Sequence, residues 1–423
     1  MISERIYDTV TDDDADTVDA GRKRNFAIHF LSLGATKTAD GLLDPKLVLA
    51  WLLSAAGAPG YLVGALVPVR ESGALLPQVA LAEWIQRSRQ RRWFWVVGSL
   101  IQGIAALGIA AAAVWLQGVA AGVVVLALLA VLAVARSACS ASYKDVLART
   151  VEKGTRGTVK GAAGSIASVV VFAFAVSVAV GIIPLEPWAI ALAVAVAGIL
   201  WTIAALVFLT LKEPDADTSE DAGFSLSQIT RPLRGDPEFR RYVASRALLI
   251  ATALAPPFIV MLSHETDDGG LGNLGVLIIG SSAAAIASSY IWGRLSDRSS
   301  RWTLALSGIS AAVALGAVAA TGFFYGGIGP GWLAAVFIFF AQIGYQGVRA
   351  GRSTHLADMD THGRKAAYTA LSNTLIGVLL LAGGAFGLVA DVAGPSVVLA
   401  IFAAMSLASV PVSLALSEVQ QED

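Results

Sequence analysis

The chain has 423 residues, of which 56% are hydrophobic and 14% are charged, whereas about a quarter of the residues of a typical soluble domain are charged. This composition excludes a water-soluble globular protein and indicates one that crosses a membrane many times. Thirty basic residues against 31 acidic ones leave a net charge of −1, so the charge gives no reason to expect binding to nucleic acid. The single cysteine, Cys139, can form neither an intrachain disulfide nor a cysteine-rich metal site.

The first 44 residues are predicted to form a cytoplasmic tail, because they contain no apolar run of the kind that a secretory signal needs. Within this tail, Phe26, His29, Phe30 and Leu33 recur at helical spacing. Such spacing over residues 25–44 favours a helix that lies along the membrane surface.

Stretches without Asp, Glu, Lys, Arg or His define the predicted spans, because a crossing helix needs about 20 apolar residues. These stretches are 47–69, 93–135, 161–185, 187–211, 247–263, 269–293, 302–348, 366–390 and 392–417. Two of them, 93–135 and 302–348, are too long for one crossing and contain glycine turn signals, so each predicts a helical hairpin. A further helix between Arg70 and Arg87 brings the predicted number to twelve.

Basic residues in the loops predict the orientation, since Lys and Arg collect on the cytoplasmic side. Twenty of them fall in the loops that follow even-numbered helices, and only Arg70 falls in a loop that follows an odd-numbered one. The sequence therefore predicts a multi-pass protein of the inner or plasma membrane with both termini in the cytoplasm.

A long polar stretch after the sixth helix divides the chain into two halves. Shifting the chain by 209 residues lays Arg92-Trp93 on Arg301-Trp302, which supports parallel repeats. The predicted fold class is an all-α polytopic membrane protein with twelve transmembrane helices in two pseudo-symmetric six-helix bundles. The predicted segments are the tail 1–44, the N-terminal bundle 45–211, the linker 212–241, the C-terminal bundle 242–417 and the tail 418–423.

The loop between helices 8 and 9 reads GRLSDRSSR over residues 293–301. It resembles the signature loop G-x-L-x-D-R-x-G-R of the major facilitator superfamily, with Ser300 in place of the second glycine. The matching loop of the first half keeps its arginines but has Ser88 where Asp297 would be. The resemblance implies alternating access, in which two rigid bundles rock about a cavity lined mainly by the first, fourth, seventh and tenth helices.

The residues of the signature loop are predicted to form a gate. Gly293 lets a neighbouring backbone approach closely, and Asp297 accepts hydrogen bonds from a helix N-terminus or an arginine and so latches the cytoplasmic ends together. Arg298 and Arg301 complete the predicted gating group. The alternative is that the arginines only enforce topology.

Ionisable and polar side chains inside the spans predict the substrate site, because they are expensive in a membrane. The predicted substrate-binding residues are Arg136, Arg246, Tyr61, Gln342, Gln346 and Arg349. Guanidinium groups match carboxylate or phosphate bidentately, so the arginines favour an anionic substrate. In the alternative interpretation the arginines snorkel to the surface or pair with acids such as Asp145 and Asp358.

Glu71 is the predicted proton-coupling residue. A carboxyl group in apolar surroundings is able to exchange a proton near neutral pH, and the adjacent Arg70 opposes this effect. The alternative is a simple interfacial ion pair between the two residues in an outer turn.

These observations predict a secondary active transporter, and no enzyme, that moves a small organic solute by alternating access with proton coupling. Two alternatives remain, a proton-driven exporter of hydrophobic compounds and a non-transporting assembly protein that keeps the transporter fold. The absence of any Gly-Lys pair excludes a G-x-x-x-x-G-K-[ST] nucleotide site, and the four histidines form no H-E-x-x-H zinc motif. The predicted partners are the solute, the lipid bilayer and the coupling proton, with no cofactor and no metal.

Overall fold

The computed structural model describes residues 6, 7, 9, 20–152, 155–215, 233, 235–264, 274–329, 331–361 and 365–420. Its long helices are α1 Ala20–Leu43, α2 Val48–Ala55, α3 Gly60–Leu75, α4 Gln78–Gln86, α5 Arg92–Trp115, α6 Gly118–Thr150, α7 Arg156–Ala179, α8 Pro187–Leu209, α9 Pro237–His264, α10 Leu274–Arg298, α11 Ser300–Tyr325, α12 Gly331–Asp358, α13 Lys365–Ala382, α14 Phe386–Ala393 and α15 Pro395–Leu414. A 3₁₀ turn, Gly383–Ala385, joins α13 to α14.

The described helices can be grouped into twelve membrane-spanning segments. Nine spans are long and apolar enough by themselves, with α13 and α14 counted as one, and α10 adds a tenth although it bends by 42° between Ser288 and Tyr290. The broken pairs α1/α2 and α3/α4 supply the other two. The chain is therefore a multi-pass membrane protein, and the predicted twelve-helix, all-α fold is confirmed.

The first span begins earlier than predicted, so the expected surface helix over residues 25–44 is wrong. Helix α1 packs against α7 and α8 and buries Phe26 and His29. Its charged residues interrupt the apolar run that the sequence criterion requires. The span breaks before α2 because Pro45 has no backbone N–H and disfavours helical geometry at Asp44.

The second span consists of α3 and α4 and breaks at Pro77. Arg70 and Glu71 lie inside α3 rather than in an outer turn. The predicted limits of the first two helices, 47–69 and the segment between Arg70 and Arg87, are therefore wrong, although the total of twelve is right. With Arg70 inside a helix, the single exception to the charge asymmetry disappears.

The two halves of the chain repeat the same packing. In the first half α5 packs against α6 and α8, and in the second half α11 packs against α12 and α15. The halves meet where α7 contacts α10, where α3 contacts α13 and α14, and where α9 contacts α2 and α3. Both chain ends lie at the same end of the bundle, which is called the terminal end below, and the other end is called the distal end.

Glycines allow the halves to touch at the distal end. A Cβ atom at Gly64 would lie 2.8 Å from the Cα atom of Gly387, and one at Gly275 would lie 2.5 Å from the backbone nitrogen of Ala179. Only residues without a side chain allow helix backbones to approach this closely. At the terminal end of the same α7–α10 pair, a Cβ atom at Gly161 or Gly293 would meet no atom within 4 Å.

Candidate functional site

A cavity of about 320 Å³ lies between α3, α9, α12 and α13 and is called the second-half cavity. The charged side chains that line it are Glu71, Arg246 and Arg352. Tyr242 and Tyr345 add hydroxyl groups, and the rest of the wall is aliphatic except for Thr252, Ser353 and Asn373. A small cavity with a few polar groups on an apolar wall is typical of a small-molecule site.

Arg246 is the most unusual residue of this cavity. It is only 6% exposed, and its guanidinium group donates to the hydroxyl of Ser372 and lies 5.7 Å from the centre of the Tyr242 ring. Within the part of the chain that the structure describes, no carboxylate forms an ion pair with it, and its Nε atom has no hydrogen-bond partner. A buried, incompletely paired cation is costly, so an anion from outside the protein would stabilise it.

Arg352 reaches the same cavity from α12. The Tyr242 hydroxyl donates to the backbone oxygen of Arg352 over 2.8 Å and so joins α9 to α12. The positive charges of Arg352 and Arg246 act on the Tyr242 hydroxyl, and Arg352 also acts on Glu71. The guanidinium groups of Arg246 and Arg352 therefore both contribute positive charge to the second-half cavity.

A second space of about 230 Å³, called the first-half cavity, lies between α1, α5, α6, α7 and α8. Its charged lining is predominantly basic and comprises Lys37, Asp40, Arg136, Lys144 and Lys160. The Lys37 ammonium group donates to the backbone oxygen of Lys160 over 2.9 Å. The single acid of this lining is Asp40.

Asp40 is paired with two arginines. The Arg70 Nη2 atom lies 3.1 Å from the Asp40 Oδ1 atom, and Arg136 contacts the Oδ2 atom. The two oxygens of one carboxylate thus hold together α1, α3 and α6. Because its negative charge is satisfied within the protein, the rest of the first-half cavity keeps an excess of positive charge.

Lys46 links the halves at the level of the cavities. It follows the break after α1 and is 8% exposed, and its Nζ atom lies 3.7 Å from the centre of the Tyr345 ring on α12. Glu71 and Asp44 both act electrostatically on the Lys46 ammonium group. This contact is a buried cation–π interaction across the interface between the halves, whereas the acids that act on Lys46 belong to the first half itself.

The predicted substrate-binding residues lie in different places. Arg136 and Arg246 line the two cavities. Gln342 is buried, whereas Arg349 is exposed and donates to Gln346 over 3.4 Å. The convergence of Arg136 and Arg349 on one substrate stays a prediction.

Tyr61 lies at the distal end rather than beside either cavity. Its backbone nitrogen donates to Asp391 over 3.0 Å, and a Cβ atom at Gly387 would meet its Cα atom at 2.6 Å. The sequence placed Tyr61 near the cavity because the first span was assigned to residues 47–69. In the structure it belongs to the contact between α3 and α14.

The predicted gating residues lie at the terminal end. Asp297 and Arg298 are exposed, and Arg301 pairs with Glu418 over 3.1 Å. The close backbone approach expected at Gly293 is absent in this conformation, since nothing in the described chain lies within 4 Å of a Cβ atom placed there. Gly161 of α7, at the same end of the α7–α10 pair, also faces open space.

Sequence reasoning missed several residues of the site. Lys37 and Asp40 were assigned to a tail, Lys46 was left without a role just before the first predicted span, and Tyr242 was not singled out. One signal was present: Lys37 and Asp40 stand three residues apart, so both lie on one face of α1.

Comparisons with known proteins bear on the fold. No family model matches the sequence, and no curated protein is similar to it in sequence. Among solved structures, the nucleoside transporter NupG is similar with 13% identity and a TM-score of 0.67, covering 93% of this chain and 99% of that one. A POT family transporter in complex with a thioalcohol conjugated peptide is similar with 8% identity and a TM-score of 0.68, covering 92% and 95% of the two chains.

An auto-inhibited POT family peptide transporter is also similar, with 12% identity, a TM-score of 0.66 and coverage of 92% and 96%. All three are transporters and none is an enzyme. The similarity extends over almost the whole of each chain, and it confirms that this chain has the fold of the major facilitator superfamily.

Proposed function

We propose that the protein is a secondary active transporter that moves a small organic anion across the membrane by alternating access. The single observation that carries this proposal is the buried guanidinium group of Arg246, which lacks a carboxylate partner among the described residues. A carboxylate or phosphate group bound there would supply the missing acceptor atoms with bidentate geometry.

The charge of the two cavities supports an anion over other solutes. Their linings hold six basic side chains and two carboxylates. One of the two carboxylates, Asp40, is already paired with Arg70 and Arg136. An exporter of hydrophobic compounds has no use for such a lining, and a scaffold would keep charges that each cost about 2.5 kcal/mol or more in a membrane span.

The conformation supports access from the cytoplasm. The basic loops predict that the terminal end is cytoplasmic, and this is the end at which Gly161 of α7 and Gly293 of α10 face open space. The halves touch through glycines at the distal end. The protein is therefore proposed to be in its inward-facing state, with the cavities open to cytoplasmic solutes.

Glu71 remains the proposed proton-coupling residue, now inside α3 rather than in an outer turn. It lines the second-half cavity. Its carboxylate is attracted electrostatically by three basic side chains, those of Lys46, Arg70 and Arg352. Protonation of Glu71 would weaken its attraction to Arg352 of α12 and so loosen the contact between the halves. An anion bound beside Arg352 would compete with the Glu71 carboxylate for the positive charge of Arg352, so substrate binding would be coupled to this protonation.

A thermal-shift screen of the purified protein tests the substrate class. Monocarboxylates, dicarboxylates and phosphate monoesters are compared with neutral amides or alcohols of the same size, because a ligand that binds the folded state raises its apparent stability. The proposal expects a shift with one anion class and none with its neutral analogue. A shift that is equal for the neutral analogue, or only with apolar compounds, would contradict it.

Site-directed variants then locate the binding site. Arg246→Gln and Arg352→Gln each remove a charge-assisted hydrogen bond worth about 1.5–3 kcal/mol, so affinity for the identified anion should fall about tenfold or more. Lysine at either position should restore little affinity, because it lacks the planar fork. Arg294→Gln, which removes an exposed arginine of α10, is the matched control and should bind as wild type does.

Transport by reconstituted vesicles tests the coupling. Glu71→Gln should retain exchange of the anion between the two sides but lose accumulation driven by a pH gradient. Accumulation at the wild-type level by a well-folded Glu71→Gln protein would exclude Glu71 as the coupling residue without affecting the proposed anion site.

A further inference from the structure

A lateral groove of about 670 Å³ lies on the outer surface of the first half, between α4, α5 and α6. It is separate from both cavities of the proposed transport site. Its lining is almost entirely apolar and includes Trp84 of α4, Trp93 and Phe94 of α5, and Val131 and Val134 of α6. Trp84 is 67% exposed and Trp93 is 43% exposed, so the walls of the groove face the surroundings of the protein.

The groove exists because small residues lie along its floor. Gly98, Ala130, Ala135 and Ala138 line it beneath the large side chains. A Cβ atom at Gly98 would lie 2.6 Å from the Cys139 Sγ atom, which shows how closely α5 and α6 approach there. The result is an apolar slot of about 670 Å³ on a membrane-facing surface.

The terminal end of the groove carries two exposed arginines, Arg87 and Arg89, in the loop of residues 87–91 that joins α4 to α5. Arg91 of the same loop is buried and pairs with Asp145 of α6 over 2.9 Å, and Arg92 begins α5. The guanidinium carbon of Arg92 lies 5.6 Å from the centre of the Trp93 ring, and the Trp93 indole nitrogen donates to Gln90 over 3.3 Å. An indole with an apolar body and a hydrogen-bonded N–H group is typical of the depth at which lipid headgroups lie.

We infer that the lateral groove is a binding site for an anionic phospholipid, with one acyl chain in the slot and the headgroup phosphate beside the exposed Arg87 and Arg89. Apolar walls alone would accept any lipid tail. The charge at the mouth selects an anionic headgroup, since each basic residue near the surface contributes about 1 kcal/mol of attraction to anionic lipid. The inference does not depend on which solute the protein carries.

Photolabelling of the purified full-length protein tests the site. The probe is phosphatidylglycerol with a photoreactive acyl chain, and the labelled peptides are mapped. The site predicts labelling within residues 81–101 that excess unlabelled phosphatidylglycerol suppresses and excess phosphatidylcholine does not. Equal competition by the two lipids, or labelling spread evenly over other lipid-facing helices, would overturn the proposal.

Two kinds of variant separate the slot from the charges. Ala130→Phe fills the slot and should reduce this labelling about fivefold or more, whereas Ala317→Phe, on the exposed face of α11, should not. Arg87→Gln with Arg89→Gln should weaken competition by phosphatidylglycerol about tenfold and leave competition by phosphatidylcholine unchanged. The matched charge control is Arg294→Gln with Arg298→Gln. Wild-type labelling in both the filled and the charge-neutralised proteins would refute the site.

Discussion

The two ends of the interface between the halves are built differently, although the same helices form both. At the distal end, α7 and α10 pack so closely that a Cβ atom at Gly275 would overlap the backbone of Ala179. At the terminal end of this pair, Gly161 and Gly293 face open space. Glycines therefore lie in closely packed helix contacts at the distal end and on helix surfaces without such contacts at the terminal end.

This difference explains why glycine spacing alone does not identify a helix contact. In a protein that alternates between two states, each end of the interface must be able to close. Gly161 and Gly293 are therefore expected to become contact residues when the terminal end closes, as Gly275 is in the present state. The comparison between the ends can be tested by adding side chains to each.

The largest effect is expected at the distal end. Gly387→Leu places a side chain where a Cβ atom would lie 2.6 Å from the Tyr61 Cα atom and 2.9 Å from its backbone oxygen. Backbone cannot move aside as a flexible side chain can, so the present state should lose about 1–3 kcal/mol or more and transport should be abolished. Melting temperature and vesicle uptake are the measurements.

Gly34→Ala is the control for this substitution, because a Cβ atom at Gly34 in α1 would meet nothing within 4 Å. It should leave melting temperature and uptake close to wild type. Wild-type uptake by Gly387→Leu would show that the distal end does not close as tightly in solution as the structure indicates.

The second prediction compares thiol access at two positions of α7. With Cys139 replaced by serine, a cysteine at Gly161 should react with a thiol reagent at least about tenfold faster than one at Ala175, which is fully buried against the other half. A bound substrate that favours the other state should slow the first reaction and accelerate the second. Equal rates at the two positions would remove the distinction between an open and a closed end.

The contact between Lys46 and Tyr345 lies between the two ends and should have an intermediate effect. Tyr345→Leu removes the ring beneath the Lys46 ammonium group, and a desolvated cation–π interaction contributes about 2 kcal/mol. The melting temperature should therefore fall, whereas Tyr345→Phe, which keeps a ring, should retain most of the stability. An equal loss in both variants would mean that the hydroxyl group, and not the ring, makes the contact.

The same region shows how far the sequence predicts the structure. Charge-free runs correctly predicted the spans formed by α5 to α15, because these helices have few charges in their middle. They misplaced the first two spans because Lys37, Asp40, Lys46 and Glu71 interrupt the apolar pattern. Those charges are tolerated in the membrane because they face one another and the cavities, and this pairing becomes visible only once the helices are packed.

The candidate site was predictable to a smaller extent for the same reason. Arg136 and Arg246 stood out as charges that directly border apolar runs, and both line cavities. Lys37 and Asp40 did not stand out, since a helix with several charges has the same local pattern as a surface helix. Tyr61 was misplaced together with the span to which it was assigned.

The smallest effect on stability is expected at the terminal end, where Asp297 is exposed in the present state. A surface substitution away from buried contacts changes stability by about 0.5 kcal/mol or less, so Asp297→Asn should melt close to the wild-type temperature.

Uptake should nevertheless change, because the proposed latch forms only when the terminal end closes and the uncharged amide interacts more weakly with an arginine or a helix N-terminus. The cysteine at Gly161 reports on this closure, and its reaction in the presence of substrate should be faster in Asp297→Asn than in the otherwise wild-type protein. If uptake and labelling both match the wild type at equal expression, the aspartate is no latch, and the signature loop then contributes to topology through its arginines alone.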